Sequence, residues 1–323
     1  MTERPGYPER PAERDRWVVS LRPERPHLDP ERPYASLVEE ECSASGAVVP
    51  VATIFLTNRE CPWRCVMCDL WRNTLAETLP AGSIPRQMDF ALSQLPPAKQ
   101  IKLYNSGSFF DPRAIPPQDH PAIAERARQF ERTIVECHPA LVGEASVRFQ
   151  QMLGRPLEVA MGLETAHPEV LERLNKRMTL GQFSAAAEFL HTHGIALRVF
   201  VLVQPPFLRP EEALLWAGRS VEFSFDCGAT AVTLIPTRAG NGAMEKLAVM
   251  GEFTPPSLAV LEQASLQALA MRRGRVFVDL WDIEKRADLC AHCLDRRIER
   301  LHRQNLTQQA APSVFCDNCG GTS

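Results

Sequence analysis

Read for its apolar positions, the chain falls into two unequal parts. Residues 1 to about 40 (MTERPGYPERPAERDRWVV to RPERPHLDPERPY) are dense in Pro, Glu and Arg and carry little apolar period, the composition of an extended arm or flexible tail. From about residue 46 apolar runs of strand length alternate with longer amphipathic stretches. Near-continuous apolar runs suit strands buried on both faces, and their alternation with helical periods marks βα units around a parallel sheet.

Six units can be traced. VVPVATIFLTN is the first strand, after which Ser83 and Pro85 open a helix burying Ile84, Met88, Leu92 and Leu95. QIKLYNSGSFF, RTIVECHP, LEVAMGLET, ALRVFVLVQPP and TAVTLIPTRAG follow as strands two to six, each ahead of a helical stretch; the longest of these runs from about Pro168 to His193 and is stopped by Gly194. RVFVDLW is a further candidate strand. Polar residues collect after the strands: three cysteines, the NSGS segment, Glu136 with His138, Glu164 with Thr165, Gln204, and Thr237 with Arg238. A barrel assembles its site from the C-terminal ends of several strands in this way. No GxGxxG or GxxxxGK[ST] loop follows any strand, which removes the two commonest nucleotide-binding reasons for an open doubly wound sheet. The expected fold is α/β, a partial TIM-like (β/α)6 barrel over residues 46–273, preceded by an arm (1–45) and followed by a small cysteine-rich module (274–323).

Composition narrows the function. With 323 residues and 45% hydrophobic content the chain can bury a full core. A formal net charge of -3 supplies no global basic field, so a nucleic acid would have to be met by a local patch. The start MTERPGYPER lacks the basic and apolar regions of a signal peptide, and no uncharged apolar run approaches about 18 residues; a soluble, cytoplasmic protein with no membrane partner is expected.

Seven of the ten cysteines sit in tight groups, a clustering that speaks for metal rather than disulfides. Cys42, Cys137 and Cys227 stand alone and read as small buried hydrophobes. Cys61, Cys65 and Cys68 form C-x3-C-x2-C with no fourth cysteine nearby. A structural zinc or a fully capped cubane takes four protein ligands; three suggest an open metal position, unless a remote residue completes a zinc site. In the tail, Cys290 and Cys293 followed by Cys316 and Cys319 give two CxxC knuckles, a tetrathiolate pattern in which zinc is the simplest occupant and an auxiliary iron–sulfur cluster the alternative. Between them, Arg296, Arg300 and Arg303 share one helical face, a local basic stripe for phosphates or a solvated surface diluted by Asp295 and Glu299.

The three-cysteine motif at the end of a first barrel strand resembles the radical S-adenosylmethionine (SAM) superfamily. That resemblance implies a [4Fe-4S] cluster on Cys61, Cys65 and Cys68 whose fourth iron binds SAM, reductive cleavage to a 5′-deoxyadenosyl radical, hydrogen abstraction from a substrate, and a reductant such as flavodoxin or ferredoxin. The residue before the last cysteine, usually aromatic in the superfamily, is Met67, whose thioether can still pack on adenine. Ser106, Gly107 and Ser108 align with the glycine-rich segment that receives the SAM amino group, although the acidic residue many members carry there is missing. Glu136 and Glu164 resemble positions lining the SAM or substrate pocket, and Asn175, Lys176 and Arg177 form a polar triplet also seen in the family. A carboxylate at a strand end could equally cap the next helix. No catalytic residue is singled out.

A narrower likeness runs through CPWRCVMCDLWRNT, SGSF, ECHP, GLET, FVLVQPP, FTPPSL and the tail. These look like the radical-SAM subunit of archaeosine synthase and its relatives, kin of the elongator catalytic subunit. The implied substrate is a lysine adduct on a deazaguanine base in tRNA, with a partner subunit. The segment IPTRAGNGAME departs from the archaeal members' glutamine before Gly-Thr, so the pocket is expected to differ there. Two alternatives stay open: a radical SAM enzyme acting on a small molecule, and a non-enzymatic zinc-dependent RNA-binding or scaffold protein.

Overall fold

Eight strands lie in one sheet in chain order in the computed structural model, which describes residues 6–285 and 290–319. They are β1 (Ala35–Cys42), β2 (Val48–Phe55), β3 (Gln100–Tyr104), β4 (Arg132–Glu136), β5 (Leu157–Glu164), β6 (Ala196–Val203), β7 (Ala231–Pro236) and β8 (Arg275–Val278). Strands β2 to β8 run parallel, and β1 pairs antiparallel with β2. The connections carry α2 (Ser83–Leu92), α3 (His120–Ala127), α4 (Glu144–Leu153), α5 (Pro168–Arg173), α6 (Leu180–Thr192), α7 (Ala213–Asp226), α8 (Ala243–Val249) and α9 (Leu258–Ala270), with α1 (Pro11–Ser20) before the sheet and α10 (Leu294–Thr307) after it.

Side chains on the inner face show that the sheet curls. Arg198 of β6 donates to Glu41 of β1 at 2.5 Å and to Glu158 of β5 at 2.6 Å. Lys102 of β3 reaches Glu41 at 2.6 Å, and Arg275 of β8 reaches Glu158 at 2.9 Å. Strands that are not neighbours are thus joined across the concavity, giving the partial barrel expected. Burial alone would raise the Glu41 carboxyl, yet Arg198 and Lys102 hold it well below the usual carboxylate range. The main hydrophobic core lies on the other face, where residues such as Ile54, Leu103, Val159 and Val201 meet the helices.

The structure corrects the reading of the first 45 residues as an extended arm. Helix α1 and strand β1 are formed there, and β1 extends the sheet. The segment is also tied down: Arg14 pairs with Glu172 at 2.6 Å, Tyr7 donates to the Arg173 carbonyl at 2.7 Å, and Arg22 and Arg25 converge on Glu60 at 2.7 and 2.6 Å. The long helix expected from Pro168 to His193 is two helices, because Asn175 and Arg177 take left-handed backbone angles that no helix continues through. Thr179 and Gln182 then restart it with a capping box. RVFV is β8, a strand of the sheet rather than part of a separate tail.

Helix α10 lies against β1 and β8, the two ends of the sheet. Its Asn305 and Gln308 side chains act as a substitute strand for β8: the Val278 and Val276 N–H groups donate to their amide oxygens at 2.8 and 2.6 Å, and their nitrogens donate back to the Val278 and Val276 carbonyls at 2.8 and 3.1 Å. An unpaired strand edge is otherwise a template for pairing with another chain. Replacing both by leucine is expected to cost about 1–3 kcal/mol for each backbone group left buried and unbonded, read as a lower urea midpoint with faster hydrogen exchange at Val276 and Val278. Unchanged exchange would show that the pairing carries no stability.

The basic stripe also needs correction. Arg300 turns inward, 5% exposed, to the fully buried Glu262 of α9, which Arg297 also binds. Arg296, Arg300 and Arg303 therefore do not form one solvent-facing row, because the buried carboxylate draws the middle arginine into the α9–α10 contact.

Candidate functional site

The cysteine loop leaves β2 and is fastened at its neck. Gln87 of α2 accepts from Thr57 N at 2.9 Å and donates to Thr57 O at 2.7 Å, while Glu60 N and Leu75 N close the loop base through Leu75 O and Asn58 O. Further out, Val66 N donates to Leu174 O at 3.0 Å, Asn241 donates to Val66 O and Cys68 O at 2.8 and 3.1 Å, and Asn175 donates to Arg64 O at 2.8 Å. Cys61, Cys65 and Cys68 are thereby held by backbone contacts that do not involve their thiols. Asn241, 2% exposed, belongs to the segment IPTRAGNGAME read from sequence as substrate pocket; its side chain instead secures the cysteine loop.

Burial pushes all three thiols up to about 12. Thiolates at these positions therefore require nearby positive charge. Lys176 is one source, lowering the Cys65 and Cys61 values by its charge. It projects from the break between α5 and α6 and pairs with Glu164 at 2.7 Å. Gly162 makes room for that pair, since a Cβ there would lie 2.1 Å from the Glu164 carboxylate and 2.6 Å from the Lys176 ammonium. His138 links the same parts: Trp63 stacks on its ring at 3.7 Å, Ala140 N donates to its Nδ1, and Nε2 faces the Lys176 carbonyl at 3.0 Å. Burial and the Lys176 charge lower its pKa to about 3, so the ring is neutral and Nε2 carries the donated proton.

The NSGS segment backs directly onto the loop. A Cβ on Gly107 would sit 3.2 Å from the Cys61 Cβ, so glycine permits the approach. Ser106, with a left-handed φ of 53°, bonds Tyr34 at 3.1 Å, and the Ser108 hydroxyl accepts from His138 N at 2.8 Å. Glu136 accepts from Asn105 N at 2.5 Å and Gly107 N at 3.3 Å, and burial raises its pKa to about 7 in spite of these donors. Left-handed angles also occur at Glu164 and Gln204, at the ends of β5 and β6. Strained backbone of this kind gathers at functional sites.

Ser106, Gly107, Ser108, Glu136, Glu164 and the three cysteines thus share one rim. Met67, partly buried, packs against the second apolar cluster of Val66, Leu174 and Met244, which Trp17 and Tyr7 also border. Sequence reasoning missed Asn105, whose fully buried side-chain amide has both its nitrogen and its oxygen without a protein partner. An orphaned amide in the segment that backs the cysteine loop, together with three thiols that need cationic company, fits a site built for an iron–sulfur core and a polar ligand.

In the tail, Cys290 Sγ lies 3.9 Å from Cys316 Sγ, and Cys293 Sγ lies 3.8 Å from Cys319 Sγ. The four sulfurs lie within 4.8 Å of one another, and no other group of His, Cys, Asp and Glu ligand atoms among the described residues is drawn together in this way. Backbone donors at Cys319 and Asn318 lower the Cys316 thiol to about 7. Of the isolated cysteines, Cys42 and Cys137 are buried and Cys227 is partly buried.

Comparison with known proteins places these residues in context. No family model matches the chain. It is 26% identical over 239 residues to archaeosine synthase subunit beta of Methanosarcina acetivorans, covering 70% of this chain and 69% of that protein. An uncharacterized protein of Methanocaldococcus jannaschii is 22% identical over 301 residues, covering 87% and 82%. Among solved structures, the archaeal Methanocaldococcus infernus Elp3 with an N-terminal deletion superposes with a TM-score of 0.48 at 15% identity, over 68% of this chain and 58% of that one. The sequence relatives bear out the resemblance to archaeosine synthase. No helix among the described residues is long and apolar enough to cross a membrane.

Proposed function

We propose that this relative of archaeosine synthase subunit beta is a radical SAM enzyme. The observation that carries the reading is the loop of three buried thiols, held by its backbone and backed by the NSGS segment at the C-terminal rim of a curled parallel sheet. Cys61, Cys65 and Cys68 would hold a [4Fe-4S] cluster, and the Asn105–Ser108 segment and Lys176 would receive SAM beside it. When bound, the two groups supply a 5′-deoxyadenosyl radical on one-electron reduction. The protein's own part is positioning and exclusion of water. Glu136 fixes the NSGS backbone, the Lys176–Glu164 pair balances charge next to the thiols, and the residues around Tyr7 and Trp17 cover the loop. The substrate of the relatives named archaeosine synthase suggests a deazaguanine-type base in tRNA, and the word subunit in their name suggests a partner chain; an external carrier such as flavodoxin or ferredoxin would deliver the electron.

For the tail we propose zinc. A tetrahedral zinc with bonds of about 2.3 Å sets its sulfurs about 3.8 Å apart, which matches the observed 3.8 and 3.9 Å. A cubane, with each thiolate on a different iron, holds its ligands farther apart. Anaerobic reconstitution followed by metal and sulfide analysis is expected to give about four irons and one zinc per chain, with 5′-deoxyadenosine formed from SAM and dithionite. A reconstituted, folded sample with no iron and no deoxyadenosine would overturn the enzyme reading, and about eight irons without zinc would replace the zinc assignment. Cys316→Ser is expected to lose the zinc and leave the four irons.

A further inference from the structure

A second set of residues, on the inner face of the sheet and at the ends of its strands, takes no part in holding the loop. Residues two apart on a strand face the same side, so Tyr104 points inward with Lys102, Phe200 with Arg198, and Asp279 continues the inward face of Phe277. The Tyr104 and Phe200 rings, on β3 and β6, meet edge to face with centroids 6.3 Å apart. Phe55 of β2 adds a third ring 6.2 Å from Tyr104, and Trp281 lies 6.2 Å from Phe55. These rings form a layer over the buried charges of Glu41, Lys102, Glu158 and Arg198. Phe55, Tyr104 and Phe200 are only partly buried, and Trp281 is 55% exposed, so the layer borders open space.

Beside this layer stands an ion pair from the ends of β7 and β8. Arg238 donates to Asp279 Oδ2 at 2.5 Å while Asp279 Oδ1 accepts from Trp281 N at 3.0 Å. The side chains remain 33% and 28% exposed, and burial raises the Asp279 pKa despite the neighbouring cation. Carboxylate oxygens each have a second acceptor direction and the guanidinium has further donors. Acceptors beside donors, next to exposed aromatic rings, complement a planar heterocycle presenting N–H donors beside a carbonyl.

We propose that Asp279 and Arg238, with Trp281 at the rim, form a subsite selective for a guanine-type edge. Asp279 accepts from the ring imino and exocyclic amino groups, Arg238 donates to the ring carbonyl, and the aromatic layer receives the face of the base. Bases removed from a helix are read by this combination of edge hydrogen bonds and stacking. An adenine-type edge places an acceptor where the carboxylate needs a donor. The inference rests on the proposed function, in which the archaeosine synthase relatives supply the substrate class, and names the residues that select it.

The test is a ligand-observed NMR titration of 7-deazaguanosine and 7-deazaadenosine against the reconstituted full chain, with deoxyadenosine formation by the wild type measured separately. The expected result is that 7-deazaguanosine binds at least ~10-fold tighter than 7-deazaadenosine, and that Asp279→Asn and Trp281→Ala each weaken it ~10-fold or more. Trp281 is exposed, so its variant tests the site without a folding cost, and circular dichroism checks both variants. Equal binding of the two nucleosides, or binding unaltered in both variants, would reduce the Arg238–Asp279 pair to a brace between β7 and β8 while leaving the enzyme reading intact. Absence of deoxyadenosine in the wild type would sink that reading whatever the nucleosides do.

Discussion

Substituting Cys65 by alanine is expected to leave a folded protein that holds no four-iron cluster and forms no detectable 5′-deoxyadenosine. The fold should survive because the loop is fixed through the backbone of Val66, Cys68 and Arg64, gripped by Leu174, Asn241 and Asn175, with no thiol in any of these bonds. The cluster should not survive, because two thiolates cannot replace three at a site that supplies no fourth cysteine. Cys42→Ala is the control. That thiol is buried beside Ala231 and Phe277, on the residue that pairs with Val48 at the end of β2 opposite the loop, and its loss should leave iron content and product formation unchanged. Anaerobic iron and sulfide analysis, with chromatography for deoxyadenosine, decides the matter. A Cys65→Ala protein that retains both would refute the three-cysteine assignment.

The largest effect on stability is expected at Arg198. Replacing it by methionine keeps the volume but leaves Glu41 and Glu158, 8% and 0% exposed, without their shared cation. Breaking a buried ion pair from one side costs about 3–5 kcal/mol, measurable as a lower denaturant midpoint. The pH dependence should change with it. A carboxyl held below its unfolded pKa contributes stability that is present above the ordinary carboxylate range and is lost as pH falls through the folded value. Burial opposes ionisation of Glu41, but Arg198 and Lys102 lower it, so the wild type should lose this increment in acid. The Arg198→Met protein, lacking much of it already, should show a flatter acid profile. Equal midpoints for the two proteins at neutral pH would mean that the network is energetically idle.

The same network explains why β1 could not be read from the sequence. ASLVEEEC looks like a charged surface segment, yet Glu41 points inward to Arg198 and Lys102, partners lying 157 and 61 residues away in sequence. The parallel strands were legible because both of their faces are buried and mostly apolar. The cysteines and the NSGS segment were legible because their spacing or composition is local. Lys176 could be suspected, but its position beside the thiols depends on left-handed angles at Asn175 and Arg177, which non-glycine residues do not announce. Asn241 and Gln87 act at long range on backbone atoms, and no local pattern marks such a residue. The capping box at Thr179 and Gln182 was a visible start signal that the continuous apolar period on either side concealed.

The fastening of the first helix over the cysteine loop has a consequence for the order in which the molecule can be assembled. Tyr7, Arg14 and Asp15 bind residues 172–177, and Leu21 lies against Gly242. Those anchors are synthesised long after the loop at 58–75 itself. On a growing chain the helix lacks these later anchors until most of the sheet has emerged, so the thiols would stay accessible to iron carriers for that interval. Once the anchors form, the helix closes over a loop that has had time to be loaded, and an inorganic core acquired early would be retained by a cover made late.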